Sequence, residues 1–140
     1  MNQAELLFKI YLLVAQSGVC PETKPSDWVK TLLYLHSKGW LWAKVDKDNN
    51  VEMAAGMYRI PAVEDQYTNV MPEKEEGRIL YIPFFVSRST DPKEAKKILN
   101  KYLKTHEEID EIAFYERGDD TKLKRFTRKQ GKQNEQKIQP

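Results

Sequence analysis

Residues 79–103, ILYIPFFVSRSTDPKEAKKILNKYL, decide how this chain is read. The run ILYIPFFVS (79–87) is rich in Ile, Phe, Tyr and Val, which suit a pleated, half-buried surface, so it predicts a strand. A polar turn, Arg88-Ser89-Thr90-Asp91, follows. Then Ala95, Ile98, Leu99, Tyr102 and Leu103 fall at i, i+3, i+4, i+7 and i+8, the spacing of one helix face. Asp91 is placed to cap that helix, Pro92 takes its first position, and Glu94 completes a capping-box-like pattern. Pro83 cannot donate to a ladder, which predicts an edge or a bulge inside the strand. A strand feeding straight into a helix N-terminus is where many folds seat a phosphate-bearing ligand.

Working outward, residues 3–17 place Leu7, Ile10, Tyr11 and Val14 at helical spacing, with further apolar residues on other faces. This predicts a largely buried helix ended by Gly18. After Pro21 and Pro25, Ser26 or Asp27 can cap a second helix running to about Ser37, with Trp28, Leu32, Leu35 and His36 inward and Gly39 as its left-handed end. WLWAKV and VEMAAGMYRI flank DKDNN and read as a hairpin. Residues 61–76 show no period and read as a long loop, EIAFY (111–115) as a strand, and TKLKRF (121–126) as a short amphipathic helix. The order is helix, helix, three strands, helix, strand, short helix. It predicts an α+β, three-layer fold whose mixed sheet is mostly antiparallel with one parallel pair.

At 140 residues a single domain is expected, taken as 1–126 with a basic, disordered tail at 127–140. Apolar and charged fractions of 40% and 31% are those of globular chains. Residues 6–15 are apolar, but Lys9 divides them, no basic region precedes them, and the run is too short for a bilayer. Cys20 is the lone cysteine, which leaves no internal disulfide and fits a reduced, cytoplasmic setting without membrane attachment. Residues 121–140 carry seven Lys or Arg and one Glu, a balance of +6, against −4 for residues 1–120. A basic end on an acidic body can touch nucleic acid, although a segment so poor in apolar residues also reads as a solvated end.

Other patterns lead nowhere. Asp46, Asp48 and Asn50 imitate a calcium loop, but Val51 stands where glycine is required and Met57 where the bidentate carboxylate belongs. His36 and His106 sit in no ligand spacing, so no metal is expected. Arg117-Gly118-Asp119 is a polar turn, and Cys20 has no histidine beside it in sequence.

Taken together, the order and the residues resemble the GNAT family of N-acetyltransferases, in its small, divergent, phage-type form, over roughly residues 1–131. NNVEMAAGMYRI is similar to that family's second and third strands, ILYIPFFVS to its fourth, KEAKKILNKYL to the following helix, and EIAFYERGDDTKLKRF to its fifth strand and final helix. The resemblance implies helices on both faces of the sheet and a fourth strand that bulges, where Pro83 is tolerated, and splays from the fifth. It implies acetyl-coenzyme A in the resulting cleft, its pantetheine arm on the backbone of Phe85, Val86 and Ser87, and its phosphates near Arg88, Ser89, Thr90 and Lys93. The family's loop is usually Arg or Gln, two residues, then Gly-x-Gly or Gly-x-Ala. This chain has no glycine there, Asp91 sets a carboxylate at the helix N-terminus, and Pro92 removes an N–H.

In the family's final-helix register, Thr127 falls where a tyrosine general acid often stands, so Tyr115 is the substitute. Glu52, Glu64 and Glu116 are candidate bases. The expected activity is transfer of acetyl from acetyl-coenzyme A to the amine of a small molecule or protein. The alternative is a catalytically inactive relative that contacts a protein or nucleic acid through its cleft or the 121–140 segment. A third reading takes residues 3–60 as a winged helix binding DNA.

Overall fold

The computed structural model describes residues 1–18, 23–62, 72, 74–88, 92–115 and 123–128. Three helices and five strands run in the order α1 (Gln3–Ser17), α2 (Pro25–Lys38), β1 (Leu41–Val45), β2 (Val51–Ile60), β3 (Ile79–Ser87), α3 (Pro92–Lys104), β4 (Glu111–Tyr115) and β5 (Leu123–Thr127). The strands form one sheet in sequence order, antiparallel except for the parallel β3–β4 pair. The mixed α+β architecture expected from the sequence is therefore the one observed.

Each face of the sheet buries its own core. On one side Ile10, Leu13 and Val14 of α1 and Trp28, Leu32 and Leu35 of α2 meet Ala54, Tyr58, Tyr81, Phe84 and Val86. On the other, Leu99, Tyr102 and Leu103 of α3 meet Ala55, Met57, Leu80, Ile82, Phe85 and Ile112. The alternation along β3, with Tyr81, Phe84 and Val86 toward the helix pair and Leu80, Ile82 and Phe85 toward α3, is what a strand covered on both faces requires.

Local signals hold at most ends. Asn2 caps α1 by accepting from the Glu5 N–H, at 2.8 Å. Gly39 ends α2 in the left-handed region at φ 76°, its N–H donating to the His36 carbonyl. The β1–β2 turn is tied by Asp46, whose carboxylate accepts from the Asp48 and Asn50 N–H groups at 2.8 and 2.9 Å. Backbone bonds to its partners, that of Asn50 foremost, hold the Asp46 carboxyl below its ordinary range.

Several expectations need correcting. The residue before α2 is Lys24, which makes no side-chain cap, and Pro25 opens the helix, so Ser26 and Asp27 fall within its first turn. The outer side of α1 leaves Phe8 60% exposed, so that helix buries one face and not all of it. The segment expected as a final short helix is a strand. Residues Leu123 to Thr127 pair in register with Tyr115 back to Glu111. In a strand, residues three apart point to opposite faces. Leu123 accordingly packs on the helix-pair core, while the Phe126 ring lies 5.6 Å from that of Phe114 on the α3 side. β2 lies between β1 and β3 with partners on both edges, so the hairpin is part of the five-stranded sheet and not the wing of a winged helix.

Candidate active site

The β3–β4 ladder is short. β3 runs to Ser87, yet it pairs with β4 only at Ile79–Glu111, Leu80–Ile112 and Tyr81–Ala113. From Phe84 onward β3 stays with β2 through Ser87–Met53, and among the described residues its other edge has no ladder partner after Tyr81. β4, meanwhile, pairs with β5 along its whole length. Beyond Tyr81 and Ala113 the described part of β3 is paired with β2 and that of β4 with β5.

The pairing ends next to an irregularity in the β2–β3 ladder. Between the pairs Gly56–Phe84 and Tyr58–Tyr81, Ile82 and Pro83 on β3 oppose Met57 alone on β2. That is a β-bulge, and it falls where proline's missing N–H breaks no ladder bond. Gly56 makes room for it. A Cβ there would lie 3.1 Å from the Pro83 ring and 3.2 Å from the Phe84 ring.

A second bulge sits on β2. Lys44 faces Met53 and Val45 faces Val51, so Glu52 is the extra residue. Its carboxylate lies 3.4 Å from Lys44 Nζ, and the same Nζ lies 3.3 Å from Glu94 in the first turn of α3. Glu94, and then Glu52, hold the Lys44 ammonium above the ordinary lysine range. The Glu94 carboxylate thus reaches Lys44 on β1. Nothing in the sequence signals this contact, because its partners are 50 residues apart.

The expected site residues distribute as follows. Phe85 is half-buried on the α3 side, Val86 is buried on the helix-pair side, and Ser87 ends β3. The Arg88 N–H donates to the Glu52 carbonyl at 2.9 Å and its Nε to the Val51 carbonyl at 3.0 Å. This fixes the guanidinium on the hairpin while leaving the residue exposed. Lys93 is exposed on the first turn of α3. Ser89, Thr90, Asp91, Glu64 and Glu116, with Cys20, lie outside the described residues.

Tyr115 is half-buried at the end of β4, against the helix-pair core. It lies two residues beyond Ala113, the partner of Tyr81, and so stands level with the Pro83 bulge. Glu52 lies beside Arg88 instead, five residues further along β3 than Pro83. At about 3.3 Å per residue this is roughly 16 Å. Tyr115 and Glu52 therefore stand at different levels along β3.

Elsewhere, a hollow of about 570 Å³ is lined by Tyr34, Lys38, Pro72, Lys74 and Glu76. The Tyr34 hydroxyl there donates to the Pro72 carbonyl at 2.7 Å. Among the described residues, no three His, Cys, Asp or Glu groups converge as a metal site, and no helix is long and apolar enough to cross a membrane.

No family profile and no curated protein matches the sequence. Solved structures do. A GNAT-like decarboxylase, GphF, in complex with isobutyryl-CoA superposes with a TM-score of 0.60 at 12% identity, over 85% of this chain. The chain spans 65% of the length of that decarboxylase. A provisionally assigned phosphinothricin N-acetyltransferase fits more loosely, with a TM-score of 0.47 at 12% identity, over 86% of this chain and 72% of that one, and no conclusion rests on it. The fold is GNAT-like.

Proposed function

We propose that this chain binds acyl-coenzyme A between β3 and β4 and transfers the acyl group, acetyl in the simplest case, to an amine. The observation that carries this reading is the end of the β3–β4 ladder at Tyr81 and Ala113, with β3 continuing to Ser87. An extended edge of this kind hydrogen-bonds an extended ligand, and the pantetheine arm with its two amides is one. A GNAT-like neighbour carrying an acyl-CoA supports the same ligand class.

In this reading Phe85, Val86 and Ser87 hold the arm through main-chain groups. The anchored Arg88 guanidinium offers its remaining nitrogens to phosphate, with Ser89, Thr90 and Lys93 as further donors. The neutral amine attacks the thioester carbonyl, and the tetrahedral intermediate collapses with loss of the coenzyme thiolate. Tyr115, level with the bulge, donates the proton that the thiolate takes up. The amine's own proton leaves to solvent or to Glu64, since Glu52 stands at the phosphate end.

The test is direct. Acetyl-coenzyme A at 100 times its Kd stabilises the folded state by about 2.7 kcal/mol, a rise of several degrees in melting temperature. No shift at millimolar coenzyme sinks the reading. A positive shift is followed by thiol release over a panel of amines.

A second reading has its own support. Pro92 opens α3, the preceding loop lacks glycine, and a strand, β5, stands where a helix bearing a general acid was expected. These favour an inactive relative that binds a protein or nucleic acid. Coenzyme binding without thiol release from any amine selects it. Contact with nucleic acid through the basic end would weaken steeply with salt and be lost on removing residues 129–140.

A further inference from the structure

We infer that the outer face of α3 is a docking surface for the phosphate backbone of double-stranded nucleic acid, bound without regard to base sequence. The inference stands apart from the acyl-coenzyme A reading. Residues 92–104 hold five lysines and one glutamate, a balance of +4, inside a stretch, residues 1–120, whose total is −4. Basic charge is therefore concentrated on this helix and not spread over the body. Lys93, Lys97, Lys101 and Lys104 recur at i, i+4, i+8 and i+11, with Lys96 beside them, and all five are exposed. Leu99, Tyr102 and Leu103 turn the other way, into the core. The one acid of the helix, Glu94, lies 3.3 Å from Lys44 of β1. Lys124 of β5 is exposed on the same side of the sheet, two residues before Phe126.

Helix stability does not explain the row. Like charges at i, i+4 destabilise a helix, and Lys93–Lys97 and Lys97–Lys101 are two such pairs. Lys101 and Lys104 suit the negative end of the helix dipole, but Lys93 in the first turn opposes the positive end. A polyanion laid along the face relieves both effects. From Lys93 to Lys104 the face runs about 17 Å, a length over which duplex DNA carries about ten phosphate charges. The residue types select among polyanions. A membrane-bound helix needs an apolar side for the lipid, and that of α3 is already packed on the sheet. Protein interfaces are depleted of lysine, whereas phosphate backbones are bound by it. α3 holds no arginine, whose planar fork reads base edges by paired hydrogen bonds, so its point charges position a duplex without specifying a sequence.

The test follows binding of fluorescent duplexes of about 30 base pairs and unrelated sequence, long enough to cover the face. Wild type is compared with Lys96→Gln/Lys97→Gln/Lys101→Gln and with Lys24→Gln/Lys30→Gln/Lys47→Gln, which removes the same charge from exposed lysines of α2 and the β1–β2 turn. Wild type is expected to bind all duplexes alike at about 50 mM salt and to weaken steeply by about 200 mM. The α3 variant should bind at least about tenfold more weakly at the lower salt, with a slope of log K against log salt shallower by about 2.7, the share of three phosphate contacts. The control variant, and Lys96→Arg/Lys97→Arg/Lys101→Arg, which keeps the charge, should retain binding. A chain stopping after Arg128 should still show the α3 effect. A wild type that does not bind, an α3 variant that binds like wild type, or equal losses in the two glutamine variants overturns the inference. So does loss of binding in the arginine variant, which marks a structural role, or loss of the α3 effect once residues 129–140 are removed. Strong preference for one duplex overturns the sequence-independent mode. Poly-glutamate competing as well as the duplex assigns the face to an acidic protein and overturns the choice of nucleic acid.

Discussion

Tyr58 shows how one side chain reports its surroundings. It is 4% exposed, and its ring lies 5.1 Å from Trp40 and 5.7 Å from Tyr81. Among the described residues its hydroxyl meets no hydrogen-bond partner. Burial, reinforced by nearby Tyr34, pushes its pKa from 10.0 to about 12. The folded state therefore keeps the proton after the unfolded chain has lost it. The stability linked to this group is complete below pH 10.0 and is lost as pH rises through about 12. Two outcomes are expected of Tyr58→Phe. The loss of stability between those pH values becomes shallower than in wild type. At pH 7 stability changes by less than about 1 kcal/mol, because replacing an unmatched buried hydroxyl with an apolar edge is nearly neutral. Urea unfolding across pH measures both. A loss above about 2 kcal/mol at pH 7 would mean that the hydroxyl has a partner after all.

Among the elements, β3 was legible in part and β5 was not. Pro83 announced a bulge or an edge, and the bulge at Ile82–Pro83 is there. That Gly56 is the notch receiving it could not be read, since the contact depends on the register between β2 and β3. A Cβ on Gly56 would press on Leu35 at 3.0 Å and on Pro83 at 3.1 Å. The leucine end can move, but the proline ring cannot. Gly56→Ala is expected to cost about 1–2 kcal/mol by overpacking, and to weaken coenzyme binding because the bulge beside the end of the β3–β4 ladder shifts. Full retention of coenzyme affinity would separate the bulge from the cleft. TKLKRF misled for a different reason. Leu123 and Phe126, three apart, fit one helix face as well as opposite faces of a strand, and five or six residues do not discriminate. The unpaired edge of β4 decides, because its backbone groups need partners that a strand supplies and a helix does not.

At the scale of the whole molecule, the order of the elements up to β4 followed from periodicity, whereas the composition of the site did not. The strand, turn and helix of residues 79–103 located one wall of the proposed cleft. The contacts made near the end of β3, Lys44 against Glu94 and Arg88 against Val51, come from segments far apart in sequence and are joined only by folding. The anchoring of β5 was equally hidden, because Arg128 sits in a segment that by composition alone looks like solvated chain. Its N–H donates to the Asp110 carbonyl at 2.7 Å, and one Nη donates to the carbonyls of His106 and Ile109 at 3.1 and 3.3 Å. Those bonds pin the end of β5 to the turn between α3 and β4, next to the Glu111–Thr127 pair. Hydrogen bonds from a charged donor contribute about 1.5–3 kcal/mol where partly buried, and at this chain length each 1 kcal/mol moves the melting temperature by roughly 3–5 °C. A chain stopping after Arg128 should melt like the full-length protein. One stopping after Phe126 loses the clasp and the last pair of the β4–β5 ladder, and should melt at least about 5 °C lower. Calorimetry on the two truncations decides the matter, and equal melting temperatures would place the end of the cooperative fold at Phe126.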